Sequence, residues 1–307
     1  QNFYNAEQKE IGTAVENPEG EMFDLGKNRK FNGQCVLFCM FWDSSMSSSE
    51  SRDITIDVLK NGLDSTSTVS AVKALTDFGM KVTIVQDYES GMKKMMSGKF
   101  TQTHIICGRG DGRLPNNKNA NLVGQFIDCC IKYWKNGGGL VWWADNEPLC
   151  YELNLFLEKV EFPDIEDPQK TKKTSLRIIG NHYGDGTLKP SSLSNLSKVR
   201  CSFDENRRIQ VEGTERPHFN FNLVSMYEGI TVSYANSSNP EEMDPFKPFA
   251  VSSDGGVSIM YYTSKNLSSK EGDIVIDCGF SKLFKELSKE GIWRYIRNIA
   301  VWILSLE

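Results

Sequence analysis

Apolar runs and amphipathic stretches alternate along the first half of this chain. Residues 35–42 (CVLFCMFW) form a continuous apolar run bounded by Gly33 and Asp43, as in a central strand covered on both faces. Residues 69–78 read as a helix ending at Gly79, 81–86 as a second strand, 88–96 as a short helix and 103–107 as a third strand. A longer helix carries Leu122, Phe126, Cys129, Cys130 and Tyr133 on one face and stops at Asn136-Gly137, where glycine supplies the left-handed residue of a helix end. A fourth strand, 140–144, breaks at Asp145-Asn146. Pro148 is then expected to open a helix with Leu149, Leu153, Phe156, Leu157 and Val160 at helical spacing.

The texture changes after Glu161. From 176 to 262 short runs rich in β-branched and aromatic residues (LRIIG, KVRCSF, RRIQVEG, FNLVSMY, ITVSYA, VSIMYYT) are separated by glycine, asparagine and proline, with no helical period. The α/β pattern returns with GDIVIDCGF at 272–280. A closing helix then carries Ile292, Ile296, Ile299, Ile303 and Leu306 on one face. Strand and helix alternating at this spacing give right-handed crossovers and a mostly parallel sheet with helices on both faces. The expected fold class is therefore α/β, with a β-rich insertion before the last sheet strand and C-terminal helix. The expected division is a polar arm over 1–32, an α/β domain over 33–162 and 263–307, and a β-rich insertion over 163–262.

Composition narrows the function classes. With 307 residues, 39% hydrophobic and 24% charged, the chain is an ordinary globular protein, and it has no apolar run near the roughly 18 residues of a membrane span. A net charge of -5 gives no electrostatic reason to expect nucleic acid or an anionic membrane. Eight cysteines, at 35, 39, 107, 129, 130, 150, 201 and 278, show no zinc-ligand or disulfide-framework spacing. They read as reduced core thiols, which favours a cytoplasmic location. Three Asn-x-Ser sequons, at Asn195, Asn236 and Asn266, are what chance supplies in so asparagine- and serine-rich a chain. The chain starts at Gln1 without a signal-like segment, and is expected to be processed or a piece of something longer.

Two stretches, 137–160 (GGGLVWWADNEPLCYELNLFLEKV) and the closing GDIVIDCGFSKLF with GIWRYIRNIAVWIL, resemble the class I glutamine amidotransferase-like superfamily, a flavodoxin-like layout. Within it they are most similar to the non-catalytic branch found in intraflagellar transport and gliding-motility proteins. In the catalytic members a cysteine stands on the turn after a strand, beside a histidine oriented by a carboxylate. Here that turn is Ala144-Asp145-Asn146. Cys150 lies farther along, Cys107 leads into a long loop, and His104, His182 and His218 do not follow the last sheet strand. The resemblance implies no catalytic residues, no cofactor, and a non-enzymatic interaction or structural role in a larger protein or assembly, with protein partners.

The runner-up is a hydrolase or a metal- or glycan-binding module at the carboxyl edge of the sheet, where such folds gather ligands. Arg109 and Asp111 in the glycine-rich GRGDGR, together with Asp145 and Asn146, are the ligand-edge candidates. Asp43, Ser45 and Ser47 spell D-x-S-x-S, similar to the metal-adhesion motif of von Willebrand A domains and a candidate for magnesium or calcium. The bland readings are a loop needing positive φ at 108–113, a serine-rich loop at 44–51, and, for Asp145, Asn146 and Glu147, carboxylates and amides at a helix N-terminus.

Overall fold

The computed structural model describes residues 31, 33–41, 71–108, 119–145, 149–164, 167, 169–178, 210–211, 214–215, 232–234, 244–251, 257–264, 269–283 and 292–304. In chain order the first elements are β1 (Cys35–Met40), α1 (Ala71–Thr76), β2 (Lys81–Val85), α2 (Tyr88–Met95), β3 (Gln102–Ile106), α3 (Asn119–Lys135), β4 (Gly139–Trp143) and α4 (Tyr151–Lys159). Six short strands follow: β5 (Phe162–Pro163), β6 (Thr171–Lys172), β7 (Leu176–Ile178), β8 (Gln210–Val211), β9 (Thr214–Glu215) and β10 (Val232–Tyr234). The chain closes with β11 (Lys247–Val251), β12 (Val257–Tyr262), β13 (Ile274–Asp277) and α5 (Ile292–Ile303).

Seven strands form one sheet in the order β11-β12-β13-β4-β3-β1-β2. Its five members β13, β4, β3, β1 and β2 are mutually parallel, in a doubly wound arrangement whose connections reverse direction between β1 and β3. Ile274–Asp277 pairs in parallel with β4 and antiparallel with β12, so the closing segment belongs to the sheet as the pattern predicts.

All five residues of β3 and of β4 are buried, because both faces of the sheet are covered. Adjacent tryptophans of β4 therefore serve opposite cores. Trp142 packs on Phe156 of α4, ring centroids 5.0 Å apart. Trp143 meets Tyr295 of α5 edge-on at 6.1 Å. One core gathers α1 and α5 residues such as Leu75, Ile296 and Ile299; the other gathers Met95, Phe126, Trp134 and Leu157 from α2, α3 and α4. Helix α3 ends at Gly137, whose φ of 94° lets its N–H reach Trp134 O at 2.9 Å while Gly138 N–H reaches Tyr133 O at 3.0 Å.

Three local features differ from the pattern. Helix α4 begins at Tyr151, with Cys150 as an N-cap that makes no side-chain cap bond, rather than opening at Pro148. The Asp145 N–H instead donates to Leu149 O at 3.1 Å, and Asp145 is no N-cap. The edge strand Lys247–Val251 is not among the expected runs. It contains Pro248 and shifts register beside it, and a proline cannot donate to a ladder, which suits an edge. Of the runs at 198–203 and 221–227 nothing is described.

Within 163–262, β7 pairs with β10, β5 with β6 and β8 with β9, all antiparallel, whereas β11 and β12 extend the main sheet. One side chain ties this stretch to the body and another braces it internally. Asn154 of α4 bonds Ile178 at both backbone groups, its Nδ2 donating to the carbonyl at 2.6 Å and its Oδ1 accepting from the N–H at 2.9 Å. The Asp244 carboxylate accepts from Thr174 Oγ1, the Ser175 N–H and the Phe246 N–H at 2.9 to 3.0 Å. No helix among the described residues is long and apolar enough to cross a membrane.

Candidate functional site

In open α/β sheets ligands gather outside the carboxyl ends of the strands, above all where the winding reverses. Here that place lies between the ends of β1 and β3. The two backbones stay in contact past the strand ends: Phe41 N–H donates to Ile106 O at 3.1 Å. A Cβ on Gly108 would stand 2.0 Å from Phe41 O, so only glycine fits. Phe41, Tyr88 and Phe126 pack as a trio beneath, with centroids 4.4, 4.8 and 5.3 Å apart.

The polar centre of this edge is Glu152, a fully buried acid in the first turn of α4. Tyr88 Oη donates to its Oε1 at 2.7 Å, and the Gly108 N–H reaches both carboxylate oxygens at 3.2 and 3.3 Å. Burial, then the Glu152 charge, pushes the Tyr88 hydroxyl far above the ordinary tyrosine range, so it stays a donor. Glu152 is absent from the sequence-derived candidates because an acid in a first helical turn reads as a dipole partner. Its spacing held the signal. Glu152 lies three residues from Leu149 and four from Phe156, on the apolar stripe itself.

A second buried acid ends β13. Asp277 Oδ1 accepts from the Gly279 N–H at 2.9 Å, and its Oδ2 from Tyr295 Oη at 2.6 Å, which ties the strand end to α5. Backbone bonds from Ala144 N–H to Asp277 O (2.8 Å) and from Phe280 N–H to Ala144 O (3.0 Å) keep β4 and β13 joined. Of the sequence-derived candidates, Asp145 stands at the end of β4, 2% exposed. Arg109, Asp111, Asn146, Asp43, Ser45 and Ser47 lie outside the described residues.

Cys107, Cys150 and Cys278 are all buried at this edge. Burial first, then the nearby Glu152 charge, raises Cys107 well above the usual thiol range, so it is held as the un-ionised thiol, the form that is a poor nucleophile. The seven described cysteines are all free thiols; Cys201 lies outside the described residues. His104, buried in the middle of β3, is engaged elsewhere. Trp143 Nε1–H donates to its Nδ1 at 3.2 Å, which leaves Nε2 to donate to Gln102 Oε1 at 2.9 Å. Gln102 Nε2 passes the chain on to Ala300 O of α5 at 2.9 Å. Desolvation lowers His104 to about 3, so it is neutral and structural. Among the described residues no group of three or more histidine, cysteine, aspartate or glutamate side chains is placed to hold a metal.

No protein-family model matches this chain, and no curated protein is similar to it in sequence. Solved structures with a similar course include the mmIFT52 N-terminal domain, with TM-score 0.49 and 11% identity over 89% of this chain and 98% of that one. A cytoplasmic protein from Salmonella typhimurium LT2 has TM-score 0.44 and 9% identity over 88% and 99%. The exo-β-1,4-mannosidase Op5Man5 from Opitutaceae bacterium strain TAV5 has TM-score 0.38 and 7% identity, over 91% of this chain and 37% of that one.

Proposed function

We propose that this chain is a non-enzymatic interaction or structural domain built on an amidotransferase-like, flavodoxin-like fold, working within a larger protein or assembly in the reducing cytoplasm. The observation that carries the reading is the state of the carboxyl edge. Its acid, Glu152, is fully buried and bonded by donors from Tyr88 and Gly108, and its Cys107 thiol is held un-ionised. A hydrolytic edge of this build needs the reverse: an accessible thiolate or hydroxyl, with an accessible base beside it. The 163–262 stretch supplies a partner surface, anchored to the body through Asn154 and braced internally by Asp244.

The test is iodoacetamide labelling of the native protein at neutral pH, with peptide mapping and parallel glutaminase and esterase assays. Cys107, Cys150 and Cys278 should label only on unfolding, and neither activity should appear. Rapid labelling of one of the three in the native state, with an activity lost in step, would overturn the reading.

A further inference from the structure

The opposite, amino edge of the sheet holds a cavity of about 670 Å³, within the size range of small-molecule sites. It opens between the segments that lead into β3, β4 and β13 and is closed by the ends of three helices. Met95 and Met96 at the end of α2, Tyr133 and Asn136 at the end of α3, and Ile303 and Leu304 at the end of α5 all line it. Helices that return a parallel sheet to its start bring their C-termini there, and unpaired carbonyls give that end a negative potential. The last-turn lysines of α2 and α3, Lys93, Lys94, Lys132 and Lys135, are not part of the lining. Lys270, exposed, is.

In this wall Ser269 Oγ and Glu271 Oε2 are shielded from solvent yet have no hydrogen-bond partner, whereas the neighbouring Asp273, which also lines it, accepts from Thr263 Oγ1 at 2.9 Å. Buried polar groups are almost always paired, and a carboxylate oxygen without a donor is costly. The backbone that carries Glu271 is held from several sides. Ser264 Oγ donates to the Glu271 carbonyl, the next residue exchanges bonds with Trp134 (Gly272 N–H to Trp134 O at 2.9 Å, Trp134 Nε1–H to Gly272 O at 2.7 Å), and a Cβ on Gly272 would stand 2.1 Å from Gly138 O. The acid is thus presented on a fixed frame rather than on a loose loop. Beside it lies apolar surface from Met95, Met96 and Phe100. Met96, at 46%, is the one large apolar side chain among the described residues with high exposure.

We propose that this cavity binds a small organic cation, a primary ammonium ion bearing a short hydrocarbon or aromatic group. The ammonium N–H groups donate to the Glu271 carboxylate and the Ser269 hydroxyl, and the hydrocarbon lies on Met95, Met96 and Phe100. Three helix ends and a carboxylate select for positive charge and against an anion, while the methionines adapt to an apolar group of varied shape.

The probe is phenethylamine, titrated into the full chain and followed by amide chemical shifts and calorimetry, with 2-phenylethanol as neutral isostere and 3-phenylpropanoate as anion. Phenethylamine should saturate with a dissociation constant of about 1 mM or tighter, shifting amides of 95–101 and 269–273. Glu271→Gln should weaken it about tenfold or more and Ser269→Ala about threefold, and neither the alcohol nor the acid should saturate. Absence of saturable shifts with up to about 10 mM phenethylamine, equal binding of 2-phenylethanol, or unchanged affinity in Glu271→Gln would each overturn the proposal. Should that variant fail to fold, Ser269→Ala and the comparison of amine with alcohol on the unaltered chain decide the matter. The titration reads binding at the amino edge alone, so its failure leaves the reading of the carboxyl edge standing.

Discussion

The two edges of the sheet carry acids under opposite conditions, fully buried at one and half-buried at the other. At the carboxyl edge Glu152 and Asp277 are each held by a tyrosine hydroxyl and a backbone N–H, and glycine lets the neighbouring strand ends close on one another. At the amino edge Glu271 keeps a carboxylate oxygen without a donor, beside a cavity. A satisfied buried carboxylate contributes to stability, whereas an unsatisfied one is destabilising and marks a place where a ligand would be compensated. Among the described residues, the acids at the carboxyl edge tie segments of the fold together, whereas at the amino edge Glu271 faces a cavity.

The contrast is most exposed at its acids. Glu152→Ala strands the Tyr88 hydroxyl and the Gly108 N–H in a buried site and opens a small void, and should cost about 3 kcal/mol in chemical denaturation. Glu271→Ala should cost no more than about 0.5 kcal/mol. Equal losses at the two positions would break the comparison.

Acid should act through the middle of the sheet. His104 is lowered to about 3 in the folded protein against about 6.5 in an unfolded chain. Below the unfolded value only the unfolded chain takes up the proton, so this contribution is complete above pH 6.5 and is lost as pH falls toward 3. Between pH 7 and pH 5 the loss from this residue should be about 2 kcal/mol. A His104→Gln variant, less stable at neutral pH, should show that much less acid dependence. An identical acid slope in the variant would assign the dependence to other groups.

Much of this frame was legible from the pattern of apolar positions. Continuous runs at β1 and β4 report strands covered on both faces, and the adjacent Trp142 and Trp143 announce two cores. The edge strand β11 was hidden because Pro248 breaks the propensity signal, although an edge needs fewer donors. The start of α4 differs because Pro148 is a good first helical residue in the abstract, while here the Asp145 N–H bonds Leu149 O and the helix begins at Tyr151. The site was less legible than the fold for a reason of the same kind. Whether a carboxylate is catalytic, cohesive or waiting for a ligand depends on which donors reach it from distant segments. Tyr88 is 64 residues from Glu152, and no local spacing encodes that meeting.

Anchoring of the β segment gives a smaller effect. Asn154→Ala removes both bonds to Ile178 and leaves the backbone of β7 without that partner, at a cost of about 1 kcal/mol. Amide exchange should quicken across 176–178 and 232–234 while β3 and β4 keep their protection. Uniform quickening through the sheet would make the segment part of the core rather than a surface carried on it.

The smallest effect carries the sharpest sign. Glu271→Gln neutralises a carboxylate whose Oε2 is buried without a donor, in a wall that also holds the ends of three helices. A charge without a partner in such a place costs more to desolvate than a neutral amide, and the amide brings donors of its own that can turn toward the nearby carbonyls. The variant should therefore be slightly more stable than the unaltered chain, by about 0.5 kcal/mol, with a small rise in thermal midpoint that narrows as salt is added. A loss exceeding about 1 kcal/mol would mean that Glu271 is held by the fold as Glu152 is, and the two edges would then differ in shape but not in electrostatic kind.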